Sequence, residues 1–430
     1  MSTLRIDGGE VLLPDGTVDT ADVLIDRNEG TILDVGTPGG GDETLDATGC
    51  LVIPGLINAH CHAGMTLLRG YADDKPLESW LREDIWPIEG VLDPADVRAG
   101  TKLACAEMIK AGITAFSDMY FHVPAAVDAI EASGLRARVG HGVVTVGKDD
   151  AEASADFEES LSIAEEFDGA AAGRIQTAVM PHSLTTVDTT FLEEYVPQAR
   201  SIGVPLHYHA NETPEEVDPI VDAHGVRPLE YADDLGMLTA DDYVAHAVHV
   251  DDAEIDLLAD RGTAVAHCPA SNMKLASGIA PVQRLLDAGA TVAVGTDGPA
   301  SNNDLDLFDE LRDAAMVGKL AADDAAAVPA EAAVAAATQG GAEALGIDSG
   351  AIEPGRNADV AVVSLDAPHL TPAHDLSSHL AYAVRGSDVR HTVVDGAVLM
   401  RDRTLTTLDE ASVVETAERR AAAATERVSQ

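Results

Sequence analysis

Short, almost unbroken apolar runs punctuate this chain, and Ala-rich stretches of helical character lie between them. The runs fall at 51–59, 114–119, 137–144, 175–180, 204–209, 243–248, 263–268 and 291–295. Runs of that length, bounded by turn residues, read as strands buried on both faces. Eight strand-then-helix units in series predict an α/β protein whose core is a closed (β/α)8 barrel of the TIM type. An open, doubly wound sheet is the competing architecture. It does not readily gather polar groups from so many strand ends around one centre.

The rhythm differs at both ends. Residues 1–54 carry short strand patterns with turn signals, among them Asp15-Gly16, a hairpin dipeptide. Strand patterns return at 358–364 and 391–400. The expected organisation is therefore a small β-sandwich domain composed of 1–54 and 352–405, a catalytic barrel over 55–351, and a charged, Ala-rich terminal helix within 406–430. Gly39-Gly-Gly41 is a turn and not a phosphate loop, because no Lys-Ser/Thr follows it.

Composition narrows the function classes. The chain has 430 residues and 46% hydrophobic content, enough for a large core. It carries 27 Lys+Arg against 74 Asp+Glu, a formal net charge of -47. Such a surface repels nucleic acid and anionic membranes. The acids are spread through globular patterning, so they predict adaptation to concentrated salt, in which cations screen self-repulsion. Four cysteines, Cys50, Cys61, Cys105 and Cys268, form no CxxC and no framework. They predict a reducing compartment, the cytoplasm. Neither a secretory leader nor a membrane span is expected.

The chemistry sits at the strand ends. His60 and His62 flank Cys61 at the end of the first run, and residues two apart on a strand share a face. The fourth run leads to His182. The fifth ends His207-Tyr-His209-Ala-Asn-Glu212, the sixth Ala245-His246-Ala-Val-His249, the seventh His267-Cys268, and the eighth Gly295-Thr-Asp297. A barrel places its active site at this face. Three imidazoles and one carboxylate can hold a divalent ion that lowers the pKa of water toward neutrality. Glu212 is spaced to reach a substrate, His246 to orient or deprotonate a nucleophile, and Asp297 to ligate and relay a proton. Together they predict a metal-dependent hydrolase.

The run Pro54-Gly-Leu-Ile-Asn-Ala-His-Cys-His-Ala-Gly-Met-Thr-Leu-Leu-Arg-Gly70, with Trp80-Leu81 and Trp86-Pro-Ile-Glu89, resembles the amidohydrolase superfamily. Within it, Ser271-Asn-Met-Lys-Leu275, Gly278-Ile-Ala-Pro-Val282, the stretch Gly295-Thr-Asp-Gly-Pro-Ala-Ser-Asn-Asn303 and Pro354-Gly-Arg-Asn-Ala-Asp359 resemble the 5-methylthioadenosine/S-adenosylhomocysteine deaminase branch. The resemblance implies one metal ion per subunit, zinc with iron or manganese as substitutes, held by His60, His62, His209 and Asp297. It implies that Glu212 protonates the ring nitrogen beside the attacked carbon and that His246 partners the nucleophilic water. It places Glu89 by the ribose hydroxyls and His182 among the substrate contacts. A small purine nucleoside is the implied partner, and a homo-oligomer the implied assembly. Another aminohydrolase of the superfamily, acting on guanine, cytosine or a triazine, is the alternative.

One position departs from the pattern. Branch members that accept S-adenosylhomocysteine use arginines after the third strand to hold the amino-acid carboxylate. The matching candidate here is His141, and the following stretch offers Lys148 but no arginine. Neither replaces a bidentate clamp, so uncharged 5′-substituents are the expected preference.

Overall fold

The run at 51–59 is two strands, and the break organises the molecule. Cys50–Pro54 belongs to one sheet and Leu56–Cys61 to another. Gly55 stands between them, its N–H donating to Asp359 O at 2.9 Å. A Cβ there would lie 2.1 Å from Thr114 Oγ1, so only glycine lets the chain pass. Apolar continuity hides this change of sheet, because both strands are buried throughout.

The computed structural model describes residues 2–429. Leu56–Cys61 begins a parallel set that continues through Ile113–Tyr120, Arg136–Val143 and the interrupted pair Ile175–Thr177 and Met180–Pro181. Bridges Val179↔Leu206 and Ser183↔His209 carry the set to His207–Ala210. Parallel pairing then runs through Tyr243–His246, Ala264–His267 and Val292–Val294. Asp297 N–H donates to His60 O at 3.0 Å, bringing the end of the eighth strand back to the first. The result is the (β/α)8 barrel, with helices such as Pro94–Lys110 and Leu307–Ala322 outside it.

The second sheet has nine strands drawn from both termini. At its centre Val360–Ser364 pairs antiparallel with Cys50–Pro54, and Thr3–Leu12 pairs with Val18–Asp26 across the turn holding Asp15-Gly16. Leu4, Ile6, Val23, Ile25, Val360 and Val362 pack in a core separate from that of the barrel. This is the expected β-sandwich, and it is tied to the barrel by a buried ion pair. Arg136, on the third barrel strand, gives Nε to Asp359 Oδ2 at 2.7 Å and Nη2 to Asp395 Oδ1 at 2.7 Å.

The last helix, Glu410–Val428, lies along Pro94–Lys110. Arg427 pairs with the buried Asp96, and Ala424 joins the apolar cluster around Trp80 and Val97. No described helix is long and apolar enough to cross a membrane.

Candidate metal centre

Four barrel-end side chains converge. His60, His62, His209 and Asp297 are all buried and offer ligand atoms within 4.8 Å of one another. Asp297 Oδ1 lies 3.1 Å from His62 Nε2 and 3.4 Å from His60 Nε2, and the Nε2 atoms of His209 and His62 are 3.3 Å apart. A tetrahedral ion with bonds near 2.0–2.1 Å separates its ligands by about 3.3 Å. The spacing therefore fits such an ion.

The outer nitrogens support the same fit. His62 Nδ1 meets Met119 O at 2.6 Å, His209 Nδ1 meets His182 O at 2.7 Å, and His60 Nδ1 meets His207 Nε2 at 2.8 Å. A carbonyl oxygen accepts, so His62 and His209 carry a proton on Nδ1, which leaves Nε2 as the atom turned into the ligand cluster. His60 Nε2 is buried with no hydrogen-bond partner. Burial pushes His60 down to about 4 and His209 well below the usual imidazole value, so both stay neutral, as ligands must. Asp297 directs Oδ1 at the histidines, while Oδ2 accepts from Ser271 Oγ at 2.6 Å and Ser301 Oγ at 2.7 Å.

Above these groups opens a cavity of about 280 Å³. His62, His209 and Asp297 line its floor, with Glu212, His246, His182 and Glu89 around it and Trp80, Trp86, Phe121 and Val144 forming apolar wall. His60 lies beneath, fully buried. Glu212 Oε1 accepts from Ser277 Oγ at 3.0 Å, and its Oε2 is 3.7 Å from His246 Nε2. Burial, reinforced by the Asp297 charge, raises the Glu212 carboxyl, so it holds a proton where an ordinary glutamate does not. Glu216 is raised as well, by burial and by Glu212.

His246 has backbone φ of 74°, a left-handed conformation that aims the side chain inward. The Asn272 carboxamide meets its Nδ1 at 2.9 Å, and the amide end presented there sets the tautomer. Burial pushes Glu89 up to about 7, and its buried Oε1 has no partner. His182 stacks on His209 with ring centroids 4.4 Å apart and holds Thr186 Oγ1 at 3.0 Å.

His141 is not brought to the cavity wall. Its Nε2 is 3.0 Å from Asp156, which also takes Lys148 Nζ at 2.7 Å. Asp118 accepts from Ala63 N at 2.8 Å and so fixes the turn after His62. His249 bonds Ser277 O at 2.7 Å, and both nitrogens of His267 are buried without partners. Sequence reasoning missed the roles of Ser271, Ser277, Ser301 and Glu216. Glu216 had a signal, since it stands four residues from Glu212 at the start of helix Pro214–His224.

A (β/α)8 barrel that gathers three imidazoles and a carboxylate at one end, under a mostly apolar cavity, defines a metal-dependent hydrolase. The chain belongs to the amidohydrolase family, whose model matches residues 51–399. It is 67% identical over 422 residues to a 5-methylthioadenosine/S-adenosylhomocysteine deaminase of Natronomonas pharaonis, covering 98% of each chain. It is 42% identical to a 5'-deoxyadenosine deaminase of Methanosarcina mazei, again over 98% of each. Among solved structures, an adenosine deaminase from Xanthomonas campestris with bound zinc superimposes with a TM-score of 0.92 at 36% identity, covering 99% of both chains.

Proposed function

We propose that this chain is a hydrolytic deaminase of adenosine-type nucleosides, converting the 6-amino purine and water to the inosine-type product and ammonia. The observation that carries the reading is a buried Glu212, its carboxyl raised by that burial, beside the four-ligand cluster and inside one cavity. Full-length likeness to deaminases of 5-methylthioadenosine, S-adenosylhomocysteine and 5'-deoxyadenosine supports it. His60, His62, His209 and Asp297 would hold one ion per subunit. We take it to be zinc, with iron or manganese able to serve the same donor set. Once bound, the ion supplies a water activated for attack at neutral pH.

The protein groups handle the protons. Glu212 gives its proton to the ring nitrogen next to the attacked carbon, which relieves the charge that builds there. His246 accepts a proton from the attacking water at Nε2, provided Asn272 turns its oxygen to Nδ1–H. Asp297, fixed by Ser271 and Ser301, is the second proton acceptor and returns a proton to the departing amine. Glu89, with its unpartnered oxygen, receives the ribose hydroxyls, and His182 packs the substrate against His209. The four buried, unpaired cysteines fit a reducing cytoplasm.

Ammonia release from a panel of nucleosides and free bases, measured in molar KCl, tests the reading. 5-Methylthioadenosine, 5'-deoxyadenosine or adenosine is expected to be turned over. Deamination of guanine or cytosine with no nucleoside reacting would overturn it.

A further inference from the structure

One arginine lines the cavity, and neither His141 nor Lys148 does. Arg82 is the single Lys or Arg among the lining residues. It sits in the π-helical turn Leu81–Ile85, which joins Leu77–Trp80 to Trp86–Glu89 in one continuous helical segment. Its guanidinium carbon lies 5.6 Å from the centroid of the Trp86 ring, and Nε donates to Glu78 Oε2 at 2.7 Å. Those two contacts lean the guanidinium along the segment toward Trp86. Nη1 and Nη2 bond no other described residue, which leaves the two-pronged end free for a carboxylate.

Glu78, Arg82, Trp86 and Glu89 descend along one side of this segment and all line the cavity. Seven residues separate Glu89 from Arg82, a rise of about 10 Å along a helix. On the proposed function, Glu89 receives the ribose, so the 5′-substituent points up this ladder. A methylthio group on that path would end against Trp86. A homocysteine chain on that path would reach Arg82, with its carboxylate at the fork and its ammonium at Glu78.

We infer that Arg82 recognises the carboxylate of an amino-acid tail on the nucleoside and sets the balance between S-adenosylhomocysteine and 5-methylthioadenosine. The donor to the carboxylate would then lie on the helix over the mouth and not after the third strand. The inference rests on the deaminase reading and extends it to specificity. Arg82 is well exposed, so concentrated salt weakens its simple Coulomb attraction. The directed, two-point hydrogen bonding of the fork then carries the selectivity.

The test compares kcat/KM for the two substrates at one KCl concentration in wild type, Arg82→Met and Arg82→Lys. The ratio of S-adenosylhomocysteine to 5-methylthioadenosine is expected to fall about tenfold or more in Arg82→Met, chiefly through KM, with Arg82→Lys recovering only part of it. A ratio within about twofold of wild type in Arg82→Met overturns the inference, as does a wild type that accepts 5-methylthioadenosine but not S-adenosylhomocysteine. In that last case the deaminase reading stands. A wild type that deaminates neither nucleoside removes that reading, and this inference with it.

Discussion

Glu212 shows how one residue takes its role from its surroundings. It is buried, near the negative Asp297, and bonded by a single hydroxyl, so its carboxyl is raised above the ordinary glutamate range. Replacement by glutamine keeps the hydrogen bonds but removes the proton. Glu212→Gln is expected to lower kcat by about 10²–10⁴-fold while elemental analysis still finds one ion per chain, because Glu212 is not a ligand. The same residue governs pH dependence. The competent form is the protonated one, so kcat/KM should fall as pH rises through the raised Glu212 pKa. A bound dication shifts that limb toward lower pH but leaves its direction unchanged. Persistence of the alkaline limb in the residual activity of Glu212→Gln would assign it to another group. The histidines and Asp297 were legible in the sequence because strand ends in a barrel converge whatever the loops do. Ser271, Ser277 and Ser301 were not, because they lie on loop and helix segments whose paths depend on tertiary packing.

At the scale of elements, the strands stood out because burial on both faces writes continuous apolar runs. Their joints did not. The 51–59 run conceals a change of sheet at Gly55, and the fourth strand is broken between Thr177 and Met180. Hydrophobicity does not mark such points, since the residues on either side are equally buried. The strand Glu43–Asp46 also escaped notice, being four residues long with only one of them buried. Close approach between elements gives a sharper test. Gly295, just past the eighth strand, packs so tightly that a Cβ would lie 2.8 Å from His60 N and 2.9 Å from His60 O. Backbone cannot yield as a side-chain tip does. Gly295→Ala should therefore push Asp297 away from His60 and weaken ion retention more than it lowers thermal stability. Dialysis against a chelator, followed by metal analysis and a melting curve, separates the two effects.

For the whole molecule, charge and topology set the conditions under which the site exists. A net charge of -47 opposes the compact state unless counter-ions screen it. Melting temperature should climb steeply from dilute buffer into molar KCl and then level off; a flat profile would count against salt adaptation. The topology has a further consequence, for the order in which the protein can be made. Cys50–Pro54 finds its antiparallel partner only in Val360–Ser364. On a ribosome the leading strands must wait for the whole barrel to be translated, on the order of 15–60 s at 5–20 residues per second. Through that interval a buried-type strand stands with one edge unpaired, a template for association with other nascent chains. Chains truncated before residue 360 should accordingly aggregate even when every barrel strand is present, which light scattering of the released fragments would reveal. The metal site, whose ligands end at Asp297, is complete in sequence before the strand that seals this edge has been made.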